Sequence, residues 1–297
     1  MEVTDIKALT QVTSKKPYLD GRPCFSPDGK TVLFERSGSG IDLAEFWSVS
    51  INEVGSELPY YISDTYKCLR AAWSWNPNQE KDQIAFTANS NGISKIMLLD
   101  ENGKSNSARE LSIQGYQANI SLSYPAWYAN EMALLITDYK GLSLIKATTD
   151  GVFLGVVSSR TKWAGMGTVS ALHPTTIAYA GQSINSTGYD QSINQIWIER
   201  ATSPPALFSS KSTIGRGPWF SPDGKIMAYE GTDGLSNNLQ IFLQEVGEFP
   251  YNNKAIPVSA ITNNSLHAKF SPDGTKLVWA QHTAQGKSQI YIATIKM

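Results

Sequence analysis

The chain has 297 residues, of which 41% are hydrophobic and 17% charged, and its formal net charge is −1. A near-neutral charge argues against general nucleic-acid binding. No apolar run reaches the roughly 18 residues that a membrane span needs. Residues 1–20 lack the apolar core of a signal peptide. We therefore expect a periplasmic location if a leader has been removed, and a cytoplasmic one otherwise.

One hexapeptide recurs along the chain. Phe-Ser-Pro-Asp-Gly-Lys occupies residues 25–30 and 220–225, and Phe-Ser-Pro-Asp-Gly-Thr occupies residues 270–275. Pro presets φ, the Asp side chain binds nearby backbone N–H groups, and Gly accepts a positive φ, so the motif is a tight turn. Each copy precedes an apolar run, which predicts a hairpin. We interpret the three aspartates as turn residues and not as catalysts.

Weaker copies of the motif lie between the strong ones. The phenylalanines that begin the last two strong copies, Phe220 and Phe270, are 270 − 220 = 50 residues apart. Phe25, which begins the first strong copy, precedes Phe220 by 220 − 25 = 195 residues, close to four such periods. The anchors of the six units, in chain order, are Phe25, Trp73, Trp127, Leu172, Phe220 and Phe270. A period of about 40–50 residues that carries four short strands is typical of a propeller blade.

The later strands of each unit complete this pattern. Third strands are predicted around residues 45–49, 95–99, 142–145, 195–198, 240–243 and 289–292, and fourth strands are weaker, as at 110–112 and 255–258. The sixth unit ends after its third strand, whereas residues 6–12 look like a fourth strand. We predict an all-β fold in which residues 1–297 form a single six-bladed β-propeller, with four antiparallel strands per blade. The N-terminal strand would close the ring and hide its edges. We expect a monomer.

The loops that lead into the first strand of each blade carry an uneven share of the charge. They lie opposite the Ser-Pro-Asp-Gly turns and comprise residues 14–22, 64–70, 113–124, 159–169, 211–217 and 262–267. These loops hold nine cations and two anions, which leaves 16 cations and 24 anions elsewhere. Arginine beside aromatic rings suits an anionic ligand with flat apolar faces. A solvated basic surface without a ligand is the alternative interpretation. The predicted ligand-binding residues are Arg22, Arg70, Tyr124, Trp163, Arg216 and His267.

The whole pattern resembles the PD40 repeat of TolB-like six-bladed propellers. Its elements are Phe-Ser-Pro-Asp-Gly-Lys, an apolar strand, a polar loop and Gln-Ile-Trp or Gln-Ile-Tyr, and they cover essentially the entire chain. The resemblance implies the fold but leaves the function open. That repeat occurs in the translocation protein TolB, in oligogalacturonate lyases and in the propellers of prolyl-oligopeptidase-type peptidases. The sequence has no Gly-x-Ser-x-Gly elbow and no Walker loop, and no α/β segment like that of TolB precedes the repeat.

Three functional hypotheses follow. The first is a non-catalytic propeller that binds an acidic oligosaccharide or a protein segment at its basic, aromatic mouth, with no cofactor. The second is a uronate lyase, in which an Arg or His near the axis abstracts the proton α to the carboxylate. The resemblance to oligogalacturonate lyases implies a metal held by several histidines, but His173, His267 and His282 are not expected to converge, so no metal site is predicted. The third is a protein-interaction scaffold with an idle funnel. Cys24 and Cys68 are expected to be free thiols.

Overall fold

The chain is described by a computed structural model that covers residues 1–11, 17–38, 40–74, 83–100, 108–116, 121–129, 131–140, 142–158, 161, 163–183, 193–201, 203–209, 214–232, 234, 236–251, 254–283 and 286–296. Within these ranges the chain forms strands and no α-helix, which confirms the all-β prediction. The strands are β1 Glu2–Ala8, β2 Leu19–Phe25, β3 Thr31–Gly38, β4 Ile41–Ser50, β5 Leu58–Tyr61, β6 Lys67–Trp73, β7 Gln83–Ser90, β8 Ile93–Asp100, β9 Arg109–Glu110, β10 Leu122–Trp127, β11 Ala133–Asp138, β12 Ser143–Thr148, β13 Phe153–Val156, β14 Trp163–Val169, β15 Thr176–Gln182, β16 Gln195–Arg200, β17 Ser203–Leu207, β18 Gly215–Phe220, β19 Ile226–Gly231, β20 Gln240–Glu245, β21 Ile256–Pro257, β22 Ser265–Phe270, β23 Lys276–His282 and β24 Ser288–Lys296.

These strands are arranged as the sheets of a propeller. Four sheets have four strands each, in the orders β6-β7-β8-β9, β10-β11-β12-β13, β14-β15-β16-β17 and β18-β19-β20-β21. A further sheet has the order β22-β23-β24-β2-β3-β4-β5, with β1 paired to β24. Its β24–β2 join is a single parallel pair, Leu19 with Ser288. We call β2, β6, β10, β14, β18 and β22 the inner strands. Each contacts the next and β22 contacts β2, so they form a closed ring.

The Ser-Pro-Asp-Gly motifs are turns, as predicted. The Ser26 hydroxyl donates to Asp28 Oδ1 at 2.6 Å and accepts the Thr31 N–H at 3.0 Å, and Gly29 has φ +69°. The same bonds recur in the other two copies, at Ser221 and Asp223 and at Ser271 and Asp273. All three carboxylates are thus committed to holding their turns.

The N-terminal strand lies beside the last strand of the chain. β1 pairs antiparallel with β24, and the Leu9 N–H donates to Ile290 O at 2.7 Å. Beyond the strand, Thr10 Oγ1 accepts the Ile290 N–H at 3.0 Å. The hydroxyls that accept the equivalent third-strand N–H in other sheets are those of Ser158, Ser209 and Ser259. The strand starts earlier than the predicted residues 6–12, of which residue 12 lies outside the described part.

A buried ion pair lies next to the β24–β2 join. Arg36 donates from Nε to Asp20 Oδ1 at 2.7 Å and from Nη2 to Oδ2 at 2.9 Å, and both side chains are almost completely buried. The guanidinium is surrounded by the rings of Tyr18, Phe34 and Trp47, with its carbon 4.6–5.1 Å from their centroids. Bidentate geometry compensates much of the cost of burying the two charges.

The fourth anchor was placed wrongly. Val169 pairs with Ile177 where Phe25 pairs with Val32, whereas Leu172 lies in the turn between β14 and β15 and is 60% exposed. This turn is one residue longer than the three Ser-Pro-Asp-Gly turns: the Ser170 N–H donates to Thr176 O, six residues on, whereas the bonds from Ser26, Ser221 and Ser271 span five. Aligning His-Pro with Ser-Pro therefore shifted the anchor by three positions. The other five anchors end their inner strands.

Candidate functional site

Every inner strand carries the same irregularity at one end of the ring. The pairing register with the following strand shifts once in each of the six strands. Such bulges bend the strand and redirect a side chain. At each shift one residue has a left-handed backbone, with φ between +44° and +61°. These residues, which we call the bulge ring, are Arg22, Arg70, Tyr124, Met166, Gly217 and His267.

The bulge ring is held in place by side chains from the preceding sheet. Backbone N–H groups of four ring residues donate to a side chain on the second strand of the previous unit. The pairs are Arg70 to Glu35, Tyr124 to Thr87 at 3.2 Å, Met166 to Thr137 at 3.0 Å and His267 to Glu230 at 2.8 Å. Between the other two pairs of neighbouring sheets, the second strand has Ala180 or Ala280 at this position, and an alanine side chain cannot accept a hydrogen bond. Each such bond fixes a ring residue against its neighbouring sheet.

Four of the six predicted ligand residues meet in one cavity at this end of the ring. Arg22, Arg70, Tyr124 and His267 all line it, and its volume is about 50 Å³. One water needs roughly 10–15 Å³ by this measure, so the cavity admits a group of only a few heavy atoms. A single carboxylate fits, whereas a whole sugar ring does not. We call this space the mouth cavity.

Trp219 and Lys269 form the floor of the mouth cavity. They lie two residues after their bulge residues, and the equivalent residues of the other inner strands are small: Cys24, Ala72, Ala126 and Thr168. Trp219 therefore has room near the axis, where it lines the mouth cavity and two small cavities beyond it. Lys269 Nζ lies 4.1 Å from the indole centroid and donates to Ala71 O at 3.3 Å.

One side of the mouth cavity is positively charged. Arg22 Nη1 is 2.6 Å from Glu35 Oε2, and the Arg70 guanidinium lies 4.2 Å from the centre of the Tyr124 ring. Burial disfavours the charge on Arg22, but Glu35 raises the pKa of that guanidinium above its ordinary value. Burial also disfavours the ionised form of Tyr124 and raises its pKa. The charges of Arg70 and Arg22 outweigh this effect and lower the pKa of Tyr124 below its ordinary value. At Tyr124 the charge of the two arginines thus outweighs the effect of burial.

Two buried donors on this side have no acceptor. Nε of Arg22 and Nε of Arg70 are both buried, and neither meets a hydrogen-bond partner among the described residues. A buried donor left without an acceptor costs about 1–3 kcal/mol. A ligand oxygen that reached either atom would remove that cost, and an anionic oxygen would interact most strongly.

The opposite side is organised by Glu230, which is completely buried. Its Oε1 is 3.0 Å from His267 Nδ1, and its Oε2 accepts from Arg216 Nη2 at 3.1 Å. Burial disfavours the carboxylate, but His267 and Arg216 lower the pKa of Glu230 to about 2. Burial also lowers the pKa of His267, although Glu230 opposes this effect. The imidazole is therefore mainly neutral at pH 7.

The other two predicted ligand residues lie elsewhere. Arg216 binds Glu230 from outside the cavity lining. Trp163 was predicted as a stacking surface and this was wrong, because its side chain is 0% exposed and packs with Met166 and Ala180. It begins β14, which is buried along its whole length and therefore has no solvent face. Of the nine loop cations, five lie outside the described residues: Lys15, Lys16, Arg160, Lys162 and Lys211.

A larger groove lies away from the ring, beside β16 and β17. Its volume is about 1300 Å³, and its lining includes Trp197, Phe249 and Tyr251. Among the described residues that line it, Arg200 is the one with a charge, and it faces Glu248 at 3.8 Å. The mouth cavity is much smaller, but it brings together several charged groups that could recognise a ligand. We therefore treat the mouth cavity as the candidate site.

Comparisons with known proteins agree with this architecture. No protein-family model matches the sequence, and no curated protein matches it. A protein assigned as TolB from Agrobacterium tumefaciens superposes with a TM-score of 0.65 at 15% identity, over 99% of this chain and 98% of that one. The chain has the TolB-like propeller fold.

Two enzymes share this TolB-like fold. An oligogalacturonate lyase from Vibrio parahaemolyticus has a TM-score of 0.57 at 13% identity, over 99% of this chain and 94% of its own. An oligogalacturonate lyase in complex with manganese has a TM-score of 0.57 at 12% identity, over 100% and 99% of the two chains. At these identities the likeness shows the fold alone. In the described part of the chain, no helix is long and apolar enough to cross a bilayer.

The histidines of this TolB-like propeller are dispersed. His267 lines the mouth cavity, whereas His173 and His282 are exposed, one in the β14–β15 turn and one at the end of β23. Across the described ranges, no group of three or more His, Cys, Asp or Glu is placed to hold a metal. Cys24 and Cys68 are free and buried, as predicted, and burial raises the pKa of both thiols.

Four site residues were missed by the sequence reasoning: Glu35, Glu230, Trp219 and Lys269. A pattern for the two acids was present, because each follows the Asp of its turn by seven residues and ends an apolar strand segment. A glutamate at that repeated position is unexpected on a buried strand, so it marks a residue with a specific partner. Trp219 and Lys269 directly precede their anchors, where the other units have small side chains.

Proposed function

We propose that this chain is a six-bladed TolB-like propeller, closed by its N-terminal strand, whose mouth binds a carboxylate-bearing ligand without catalysing a reaction. The observation that carries the proposal is that Arg22 and Arg70 line one cavity and that each has a buried Nε without an acceptor among the described residues. Carboxylate oxygens are the strongest common partners of guanidinium N–H groups in proteins.

Six blades follow if the eight-stranded sheet consists of two blades that touch at one residue pair. The single parallel contact between β24 and β2 supports that division. So do the six inner strands, each with one bulge, in a closed ring. One of these two blades then takes β1 as its fourth strand, which joins the two chain ends and covers a sheet edge.

The size of the mouth cavity limits how the ligand binds. About 50 Å³ accommodates one carboxylate between the arginines, so the rest of the ligand lies outside, across the bulge ring. An acidic oligosaccharide or an acidic protein segment could present such a group. The Tyr124 ring, already stacked on Arg70, offers an aromatic wall for the part next to the carboxylate.

A thermal-shift panel tests this function. Galacturonate oligomers and acidic peptides are compared with neutral oligosaccharides and with the same peptides in amide form. A ligand at about 100 times its dissociation constant adds about 2.7 kcal/mol, which raises the melting midpoint of a chain this large by roughly 5 °C at most. Arg70→Met should abolish the rise, whereas Arg109→Met, at an exposed arginine on β9, should not. A rise that survives Arg70→Met, or no rise with any acid, would refute the site and favour the scaffold alternative.

A uronate lyase is the second candidate, and the His267–Glu230 pair favours it. The imidazole lines the mouth cavity, and its Nδ1 is 3.0 Å from a buried carboxylate oxygen. A neutral imidazole could accept the proton α to a uronate carboxylate while Arg22 and Arg70 stabilise the charge that develops. The test is the ultraviolet absorbance of an unsaturated product from oligogalacturonate. Turnover that His267→Gln abolishes would replace the binding proposal with this one.

A further inference from the structure

Lys269 borders the mouth cavity and, among the described residues, has no acidic partner within 4.0 Å. It lines both the mouth cavity and the small cavity below it. Its Nζ lies over the indole of Trp219, and its hydrogen-bond acceptor is a neutral carbonyl, Ala71 O at 3.3 Å. Among the described residues, Lys269 forms no ion pair with a carboxylate within 4.0 Å.

Lys146 shows what an ordinary lysine in a similar contact looks like. Its Nζ also lies over an aromatic ring, 4.0 Å from the centre of Tyr128, but it is 2.5 Å from Glu131 Oε2 as well. That ammonium therefore has an acidic partner as well as a ring. Lys269 contacts the Trp219 ring but, among the described residues, has no carboxylate beside it. The contact with Trp219 alone therefore does not explain why a lysine lies at this position.

The surroundings of Lys269 favour the neutral amine over the ammonium. Burial lowers its pKa, although the negative charge of Glu35 and a Cys24 thiolate would oppose that effect. Arg22 and Arg70 share the mouth cavity with it and add positive charge. Desolvation and neighbouring cations are the conditions that turn a lysine into a nucleophile towards carbonyl groups.

We propose that Lys269 forms an imine with a small ligand that carries both a carboxylate and a carbonyl group, such as a 2-oxo acid or an aldehyde acid. The carboxylate would lie against Arg22 and Arg70, so this inference rests on the proposed function of the mouth cavity. At about 10–15 Å³ per water-sized group, the cavity of about 50 Å³ admits about three to five heavy atoms, which is the size of the smallest aldehyde acid.

The chemistry needs no oxidant or reductant. The Nζ lone pair attacks the carbonyl carbon and forms the new C–N bond. The carbonyl oxygen takes up the two amine protons and leaves as one water molecule, which gives the imine. Addition of water reverses the step and releases the ligand, so Lys269 would act as a reversible covalent anchor.

Glyoxylate is the probe that tests the inference, because it is a minimal aldehyde acid. The full chain is incubated with glyoxylate and cyanoborohydride, which reduces any imine to a stable secondary amine. Intact mass then counts carboxymethyl groups, and peptide mapping locates them. We expect Lys269 to be labelled about tenfold or more faster than the average of the other lysines, a small part of what bound orientation can contribute. Acetaldehyde, which has no carboxylate, should show much less preference for Lys269.

Variants separate this inference from the proposed function. Lys269→Arg has no primary amine and cannot form an imine, so it should lose the fast label. Arg70→Met should slow labelling by glyoxylate much more than labelling by acetaldehyde. Lys146→Arg, the matched control, should label like the wild type. Labelling spread evenly over the lysines would overturn the inference, even if acids still raise the melting midpoint. Fast labelling of Lys269 that is equal for glyoxylate and acetaldehyde would instead overturn the carboxylate site.

Discussion

Glu230 is the buried carboxylate on which one side of the mouth cavity depends. Its Oε1 accepts the His267 N–H at 2.8 Å, and its Oε2 accepts from Arg216 at 3.1 Å. In Glu230→Gln the side-chain amide keeps the shape but replaces one oxygen with NH₂. Because both oxygens accept hydrogen bonds, the new NH₂ group faces a donor in either orientation, and Arg216 also loses its ionised partner.

The size of the effect follows from the pKa of Glu230, which falls from 4.5 to about 2 on folding. A difference of about 2.5 units corresponds to about 3 kcal/mol of stability at pH 7. The folded pKa is the lower one, so this stabilisation is present above pH 4.5 and is lost as the pH falls towards 2. For a chain of this size, about 3 kcal/mol lowers the melting midpoint by roughly 6 °C at most.

Urea unfolding of wild type and Glu230→Gln at pH 7, 5 and 3 measures this contribution. The difference in unfolding free energy should be about 3 kcal/mol at pH 7 and should lose more than half its size by pH 3. Glu110→Gln is the control, because its ion pair with Lys95 is exposed and should contribute less than about 1 kcal/mol. A Glu230→Gln variant within about 0.5 kcal/mol of wild type at pH 7, or a difference that does not change with pH, would refute the assignment of Glu230 as a buried, ionised organiser.

Two further substitutions test the backbone of the bulge ring and the buried ion pair beside the β24–β2 join. A Cβ on Gly217 would lie 2.8 Å from Glu230 Oε1, so Gly217→Ala should cost more in thermal unfolding than Gly40→Ala, which meets nothing within 4 Å. The left-handed backbone alone costs about 1–2 kcal/mol at both positions, and equal costs would contradict the crowding. Asp20→Asn removes the bidentate partner of the buried Arg36 and leaves Glu57, 3.8 Å away, as its remaining acidic partner among the described residues, so it should cost up to about 3 kcal/mol. The double variant with Arg36→Met should cost less than that single one in urea unfolding, and a larger cost would contradict a paired role.

Much of the architecture could be predicted because the repeat is local. Ser26 and Asp28 bind backbone atoms within five residues, so the turn is encoded by the residues that form it. The position three residues before an anchor also lies at the same place in each inner strand. For that reason Arg22 and Arg70, which precede Phe25 and Trp73 by three, could be assigned to the same end of the ring.

The same reasoning failed where the local rule changed. The repeat predicts Leu172 as an anchor, but its turn has one residue more than the Ser-Pro-Asp-Gly turns, and the repeat does not reveal such a change of length. Trp163 lies near the bulge residue Met166 but not at its position, and β14 buries both faces. An aromatic residue beside the mouth was therefore assigned to the ligand although it belongs to the core.

By itself, the sequence determined the propeller fold and the end of it that carries the arginines, because a short motif repeated at a regular spacing encodes both. Tertiary structure alone decided the chemistry of the mouth cavity, since its partners come from different units. Glu35 meets Arg70 across 35 residues, and Glu230 meets His267 across 37. Lys269 reaches Ala71 across 198 residues of sequence. Closing the ring brings these groups together and takes them out of water, and no local pattern records which of them will face each other.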